Sequence, residues 1–191
     1  MPEAIEEMGY TVTFMNVDQL LNAELTKYDA IVMGIRALNT IETIGSINEK
    51  VTLYVKQGGN LVMQYNTAHQ LKSQPLGPYS ITLSRDRVTE EDAEVSFLSK
   101  EHQVLNAPNK ISDKDFNNWV QERGLYFPAE WDSSLSAVLS MHDVNETAKN
   151  GSLLVGSYGD GYIVYTGLSF FRELPAGVPG AYRLLANILS L

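Results

Sequence analysis

The chain has 191 residues, 44% of them hydrophobic, and no Pro/Gly/Ser-rich stretch divides it, so residues 1–191 are read as one domain with one sizeable core. Fourteen basic against 23 acidic side chains give a net charge of −9, which repels phosphate backbones and anionic lipid surfaces and excludes a general nucleic-acid binder. The absence of cysteine excludes a disulfide framework, a thiolate metal site and a cysteine nucleophile, and it leaves the compartment open between the cytosol and an oxidising space such as the periplasm or the medium.

The chain opens on a helix. Pro2 sits where its missing N–H costs nothing, and Glu3, Glu6 and Glu7 crowd the early turns before Gly9 ends the pattern. This acidic start is unlike a signal peptide, and no apolar run approaches the roughly 20 residues of a membrane span, so a soluble chain with no membrane partner is expected. Tyr10 to Met15 alternates as a strand. A helix before the first strand is an unusual opening for an α/β sheet and predicts a first strand lying outside these residues.

Ala30-Ile31-Val32-Met33-Gly34 is a short, continuous, β-branched run of the kind a buried parallel strand needs. Ile47, Val51, Tyr54 and Val55 recur near helical spacing, Gly58-Gly59 stops them, and Asn60 to Gln64 forms a second buried strand. This strand, helix, strand unit predicts parallel neighbours in a doubly wound sheet, whose ligand sites lie at the strand C-termini. Those ends carry Arg36 and Asn39 after the first strand and Gln64, Asn66 and His69 at the second. Such residues either cap loops and pair on the surface or line a common crevice.

Ser80 to Leu83 reads as a strand running into Ser84-Arg85-Asp86-Arg87-Val88, followed by a capping-box-like Thr89 ahead of Glu90, Glu91 and Asp92. Arg85 and Arg87 can fork onto an anionic or polyhydroxyl ligand, but an intervening Asp86 favours an internal ion pair. Ser112 to Asp115 caps a predicted short helix from Phe116 to Arg123, which carries Trp119 and Glu122 and closes at Gly124. Tyr126, Phe127 and Trp131 then give an aromatic density that suits a satellite core and, alternatively, the faces of sugars. Ser136 to Met141 and Ser152 to Tyr158 read as strands, the latter joined to Tyr162–Thr166 through Gly159-Asp160-Gly161 as an antiparallel hairpin closing one edge. Arg172 and Glu173 follow at a strand end, and Tyr182, Leu185, Ile188 and Leu189 mark a C-terminal helix.

Catalytic motifs are missing from these elements. His69, His102 and His142 are far apart, so no zinc cluster and no cofactor site are read. There is no Gly-x-Ser-x-Gly elbow, and the turn after the second strand holds Tyr65 and Asn66, neither an activated nucleophile. The glycines from Gly156 to Gly161 form a turn and do not open a helix as a phosphate loop would.

Tyr28 to Val32, Tyr54 to Val62 and Gly161 to Leu168 resemble the ThuA-like branch of the class I glutamine-amidotransferase superfamily. Gly34 to Thr40, Gln64 to Thr67, Ser84 to Thr89, Trp119 to Pro128 and Gly167 to Tyr182 resemble the C-terminal region of long bacterial LmbE/PIG-L-type N-acetyl-sugar deacetylases, across nearly the whole chain. The resemblance implies a bacterial α/β domain with a flavodoxin-like, mostly parallel sheet. It also implies an upstream deacetylase domain, whose His-Pro-Asp-Asp motif these residues lack, and a superfamily cysteine that is missing here. The expectation is a non-catalytic accessory domain. Its crevice, formed by Arg36, Asn39, Gln64, Asn66, Arg85, Arg87, Glu122, Arg172 and Glu173, binds a carbohydrate or supports the deacetylase domain. The alternatives are a hydrolase using Glu122 or Glu91 as base with arginine clamps, and a module that dimerises through an open strand edge.

Overall fold

The computed structural model describes residues 1–191. Its helices are α1 Pro2–Glu7, α2 Val17–Asn22, α3 Ala37–Thr40, α4 Asn48–Lys56, α5 Phe170–Glu173 and α6 Pro179–Leu189. The strands are β1 Ala30–Met33, β2 Asn60–Gln64, β3 Ile81–Val88, β4 Val95–Phe97, β5 Gly124–Trp131, β6 Ser136–Ala137, β7 Leu139–Met141, β8 Leu153–Tyr158 and β9 Gly161–Thr166. The main sheet has five strands in the order β1-β2-β9-β8-β6. β1, β2 and β9 run parallel, and the β8-β9 hairpin and β6 add an antiparallel flank, so the sheet is mixed. Two short antiparallel pairs, β3-β5 and β4-β7, stand apart from it.

Alternation along the strands divides the core between two faces. Leu61, Met63, Ile163 and Tyr165 pack with Val51, Tyr54 and Val55 of α4. Val62 and Val164 pack on the opposite face with Leu184, Leu185 and Ile188 of α6 and with Ala4 and Ile5 of α1. All five β2 residues are buried, as a strand covered by helices on both sides must be. Each fully buried aliphatic side chain contributes about 1.5–3 kcal/mol of transfer free energy. The α4-to-β2 turn depends on its glycines: Gly58 has φ +102°, and a side chain on Gly59 would enter the Tyr54 ring. The Tyr54 hydroxyl accepts from Asn60 N at 3.2 Å and donates to the Tyr28 carbonyl at 3.1 Å, joining the helix to both parallel strands.

Several expectations are corrected. Tyr10 to Met15 forms no strand, and Phe14 is 71% exposed. β1 remains an edge with Ala30, Ile31 and Val32 half-buried, and alternation without a ladder partner does not make a strand. The predicted Phe116 to Arg123 helix is a single 3₁₀ turn, Asp113–Phe116, held by a Ser112–Asp115 capping box. Beyond it, Asn118 and Gln121 take left-handed φ values of 60° and 68°, which a helix does not admit. Ser136 to Met141 is divided between two sheets, with β6 beside β8 and β7 beside β4. Thr89 caps no helix; its N–H and hydroxyl both donate to Asp143, each at 2.8 Å. No helix is long and apolar enough to cross a membrane.

Candidate ligand site at the strand ends

The loops after β1 and β2 do come together. Arg36 N donates to the Tyr65 carbonyl at 2.9 Å, and Lys72 N donates to the Leu38 carbonyl at 2.7 Å. Asn66 accepts from Leu38 N at 2.9 Å through Oδ1 and donates to the Gln64 carbonyl at 2.8 Å through Nδ2. Asn39 mirrors it, donating to the Thr67 and His69 carbonyls and accepting from Thr67 N at 2.9 Å. Gln64 donates to the Met33 carbonyl at 3.0 Å across the parallel pair. Asn39, Gln64 and Asn66 are all buried. These three expected ligand residues are struts: their amides satisfy backbone groups that loops at this depth would otherwise leave unpaired.

Other side chains occupy the mouth. The Tyr65 ring lies 6.1 Å from the Tyr126 ring with 15° between their planes, and 5.2 Å from the Phe171 ring. The Arg172 guanidinium carbon sits 4.9 Å over Phe171, and its Nε reaches Glu122 Oε1 at 2.6 Å. Tyr126 holds φ 53°, rare for a bulky aromatic residue, at a β-bulge where Leu125 and Tyr126 together face Arg87 between the Asp86–Phe127 and Val88–Gly124 pairs. Arg36 is also left-handed, at φ 57°. Two strained residues at one mouth mark a place where surrounding contacts override local preference, as functional sites do. Burial raises the Tyr65 hydroxyl above its ordinary pKa, and Arg36 and Arg172 both pull it the other way.

The acids are engaged elsewhere. Glu173 is fully buried and accepts from Val120 N at 2.9 Å and from the Ser169 hydroxyl at 3.1 Å. Burial holds its carboxyl above the usual range against those hydrogen bonds and against Arg123 and Arg172. Arg123 is sealed beside it and donates to the Ala93 and Phe116 carbonyls. Glu173 thus supports the site from below and cannot meet a ligand. Glu122 is tied to Arg172, and Glu91 is exposed and accepts from Gln121 N at 2.9 Å. Both carboxylates named for the hydrolase alternative are thus hydrogen-bonded in place.

Arg85 and Arg87 are exposed on β3 and make no ion pair with Asp86. Neighbouring side chains on a strand point to opposite faces, which separates Asp86 from both arginines. No group of three metal-ligating side chains comes together. Hollows of about 390 and 340 Å³ lie elsewhere, one beside Trp119 and Arg123 and one between α4 and Gly77-Pro78. At the aromatic mouth Tyr65 is buried, and Tyr126 and Phe171 are half-buried around it.

Tyr65 and Phe171 were not among the expected ligand residues, and Tyr126 was expected, with Phe127 and Trp131, in a satellite core or alternatively at the faces of sugars. Position marked Tyr65, directly after a buried strand, whereas the bulge that turns Tyr126 toward it carries no glycine to announce itself.

No family model matches the chain, and no curated protein matches it. Among solved structures, the fold is similar to that of Cytoplasmic Protein STM1381 from Salmonella typhimurium LT2, at 15% identity and TM-score 0.60 over 98% of this chain and 83% of that one. Cytoplasmic Protein STM3548 from Salmonella typhimurium is similar at 21% identity and TM-score 0.56, with the same coverage of 98% and 83%. A β-galactosidase from Rahnella sp. R3 is similar at 15% identity and TM-score 0.57, over 97% of this chain and 25% of the enzyme. At these identities the likeness is one of fold, and it defines an α/β domain with a mixed sheet.

Proposed function

We propose that the chain is a non-catalytic accessory domain that binds a carbohydrate at the platform of Tyr65, Tyr126 and Phe171. The carrying observation is an aromatic cluster, Tyr65 with the half-buried Tyr126 and Phe171, flanked by Arg36 and by the Arg172–Glu122 pair at the C-terminal ends of β1 and β2. Sugars present C–H faces that pack on aromatic rings and hydroxyls that meet guanidinium and carboxylate groups. In finer terms the fold is read as flavodoxin-like and of the class I glutamine-amidotransferase type, ThuA-like. The support is a parallel β1-β2-β9 block with helices on both faces and the loops after β1 and β2 meeting at its strand ends. The resemblance to long LmbE/PIG-L-type proteins makes a bacterial deacetylase domain the natural companion. That a β-galactosidase carries a similar fold in a quarter of its chain is in keeping with an accessory role.

Calorimetric titration with a panel of N-acetylated, plain and carboxylate-bearing sugars tests the reading. Saturable binding that disappears in Tyr126→Ala is expected, and no saturable binding across the panel refutes it.

A second reading, docking of a companion domain or a second copy, is favoured by the free edge of β1 and the unpaired backbone from Thr11 to Met15. Light scattering over a range of concentrations, with and without a deacetylase domain, tests it. A monomer throughout rejects it.

A further inference from the structure

The geometry points to a sugar bearing a carboxylate, of the uronic acid class, as the ligand of the platform; this rests on the carbohydrate reading above. The guanidinium groups there are incompletely used. Arg36 is exposed and makes no ion pair, and no hydrogen bond is formed by its side chain. Arg172 is bonded through Nε alone, so both of its terminal nitrogens stay free while Phe171 holds the plane of the fork. Arg36 N is bonded to the Tyr65 carbonyl and Arg172 lies over Phe171, whose ring meets that of Tyr65, so two guanidinium groups flank one aromatic cluster with Glu122 as their only ion-pair partner.

A protein of net charge −9 that keeps guanidinium groups in excess beside half-buried aromatic rings is arranged for an anion of low charge. A planar carboxylate matches the guanidinium fork in two parallel hydrogen bonds, and a pyranose ring attached to it reaches the faces of Tyr126 and Phe171. A phosphate dianion carries more charge than this excess, and a neutral sugar leaves both forks without a partner.

Methyl glucuronide and methyl glucoside differ at one carbon, a carboxylate against a hydroxymethyl group, and are titrated in parallel into the full chain by calorimetry. The glucuronide is expected to bind at least about tenfold more tightly, as one charge-assisted pair contributes. Raising the salt is expected to narrow that preference. Arg36→Asn, which removes the charge while tolerating the left-handed backbone, is expected to abolish it with the melting temperature unchanged. Arg36→Lys is expected to restore part of it. Equal binding of the two sugars overturns this inference and leaves the carbohydrate reading standing. Binding of neither overturns both. Acetate that competes as well as the glucuronide identifies a bare anion site and also overturns it.

Discussion

Asn66→Ala is the substitution that separates a strut from a ligand contact. The side chain is buried and holds two backbone groups: it accepts from Leu38 N at 2.9 Å and donates to the Gln64 carbonyl at 2.8 Å. Leu38 and Gln64 are themselves buried, so water does not replace either bond without opening the loop. Each orphaned backbone group costs about 1–3 kcal/mol, which places the loss for the two at roughly 2–6 kcal/mol. For a domain of this size each kcal/mol lowers the melting temperature by about 2–4 °C. Urea unfolding followed by circular dichroism measures the loss directly, and Asn66→Asp serves as a control. An aspartate at this position would retain the acceptor for Leu38 N but set an oxygen against the Gln64 carbonyl, so the carboxylate variant should fall at least as far as the alanine one. A loss below about 0.5 kcal/mol in Asn66→Ala, the range of ordinary surface substitutions, would show that Asn66 is not holding the loops together.

Glu173 gives a pH signature. Its folded pKa is raised by burial above its unfolded value, so its stabilising contribution is complete below the unfolded pKa and is lost as pH rises through the folded one. Wild type should therefore gain from this group on mild acidification from neutrality, and the urea midpoint of Glu173→Gln should lack that gain; parallel pH profiles would contradict the assignment. Gly59→Ala should lower stability by about 1–3 kcal/mol, because the added methyl displaces the Tyr54 ring and its bonds to Asn60 and Tyr28. A thermal melt within a degree of wild type would reject that packing. Tyr126→Gly should relieve the left-handed backbone while removing the platform ring, leaving the melting temperature little changed and sugar binding reduced at least about tenfold for one lost aromatic contact. Unchanged binding by calorimetry would remove Tyr126 from the site.

Those elements whose signals are local were legible in the sequence. Ala30 to Met33 and Asn60 to Gln64 are continuous apolar runs between breakers, and both form strands of the parallel block. The Gly159-Asp160 turn marked the β8-β9 hairpin, and the apolar spacing after Pro179 marked α6. Tyr10 to Met15 failed because a strand needs a partner that its own alternation does not supply. The segment from Phe116 to Arg123 failed because Asn118 and Gln121 adopt a backbone that glycine would have signalled. At the site, the meeting of two loops followed from the strand order, but the allocation of polar atoms did not. Asn39 and Asn66 each reach a backbone partner 28 residues away along the chain, a distance over which composition says nothing about hydrogen bonding.

The position of β9 within the sheet has a bearing on synthesis. β2 is flanked on one side by β1, which ends at Met33, and on the other by β9, which begins only at Gly161. As the polypeptide leaves the ribosome, the first parallel pair must wait for more than half of the chain before its exposed flank is covered. Native-like protection of β2 amides should thus be acquired late, once the hairpin arrives, and chains halted ahead of Gly161 should be chaperone clients.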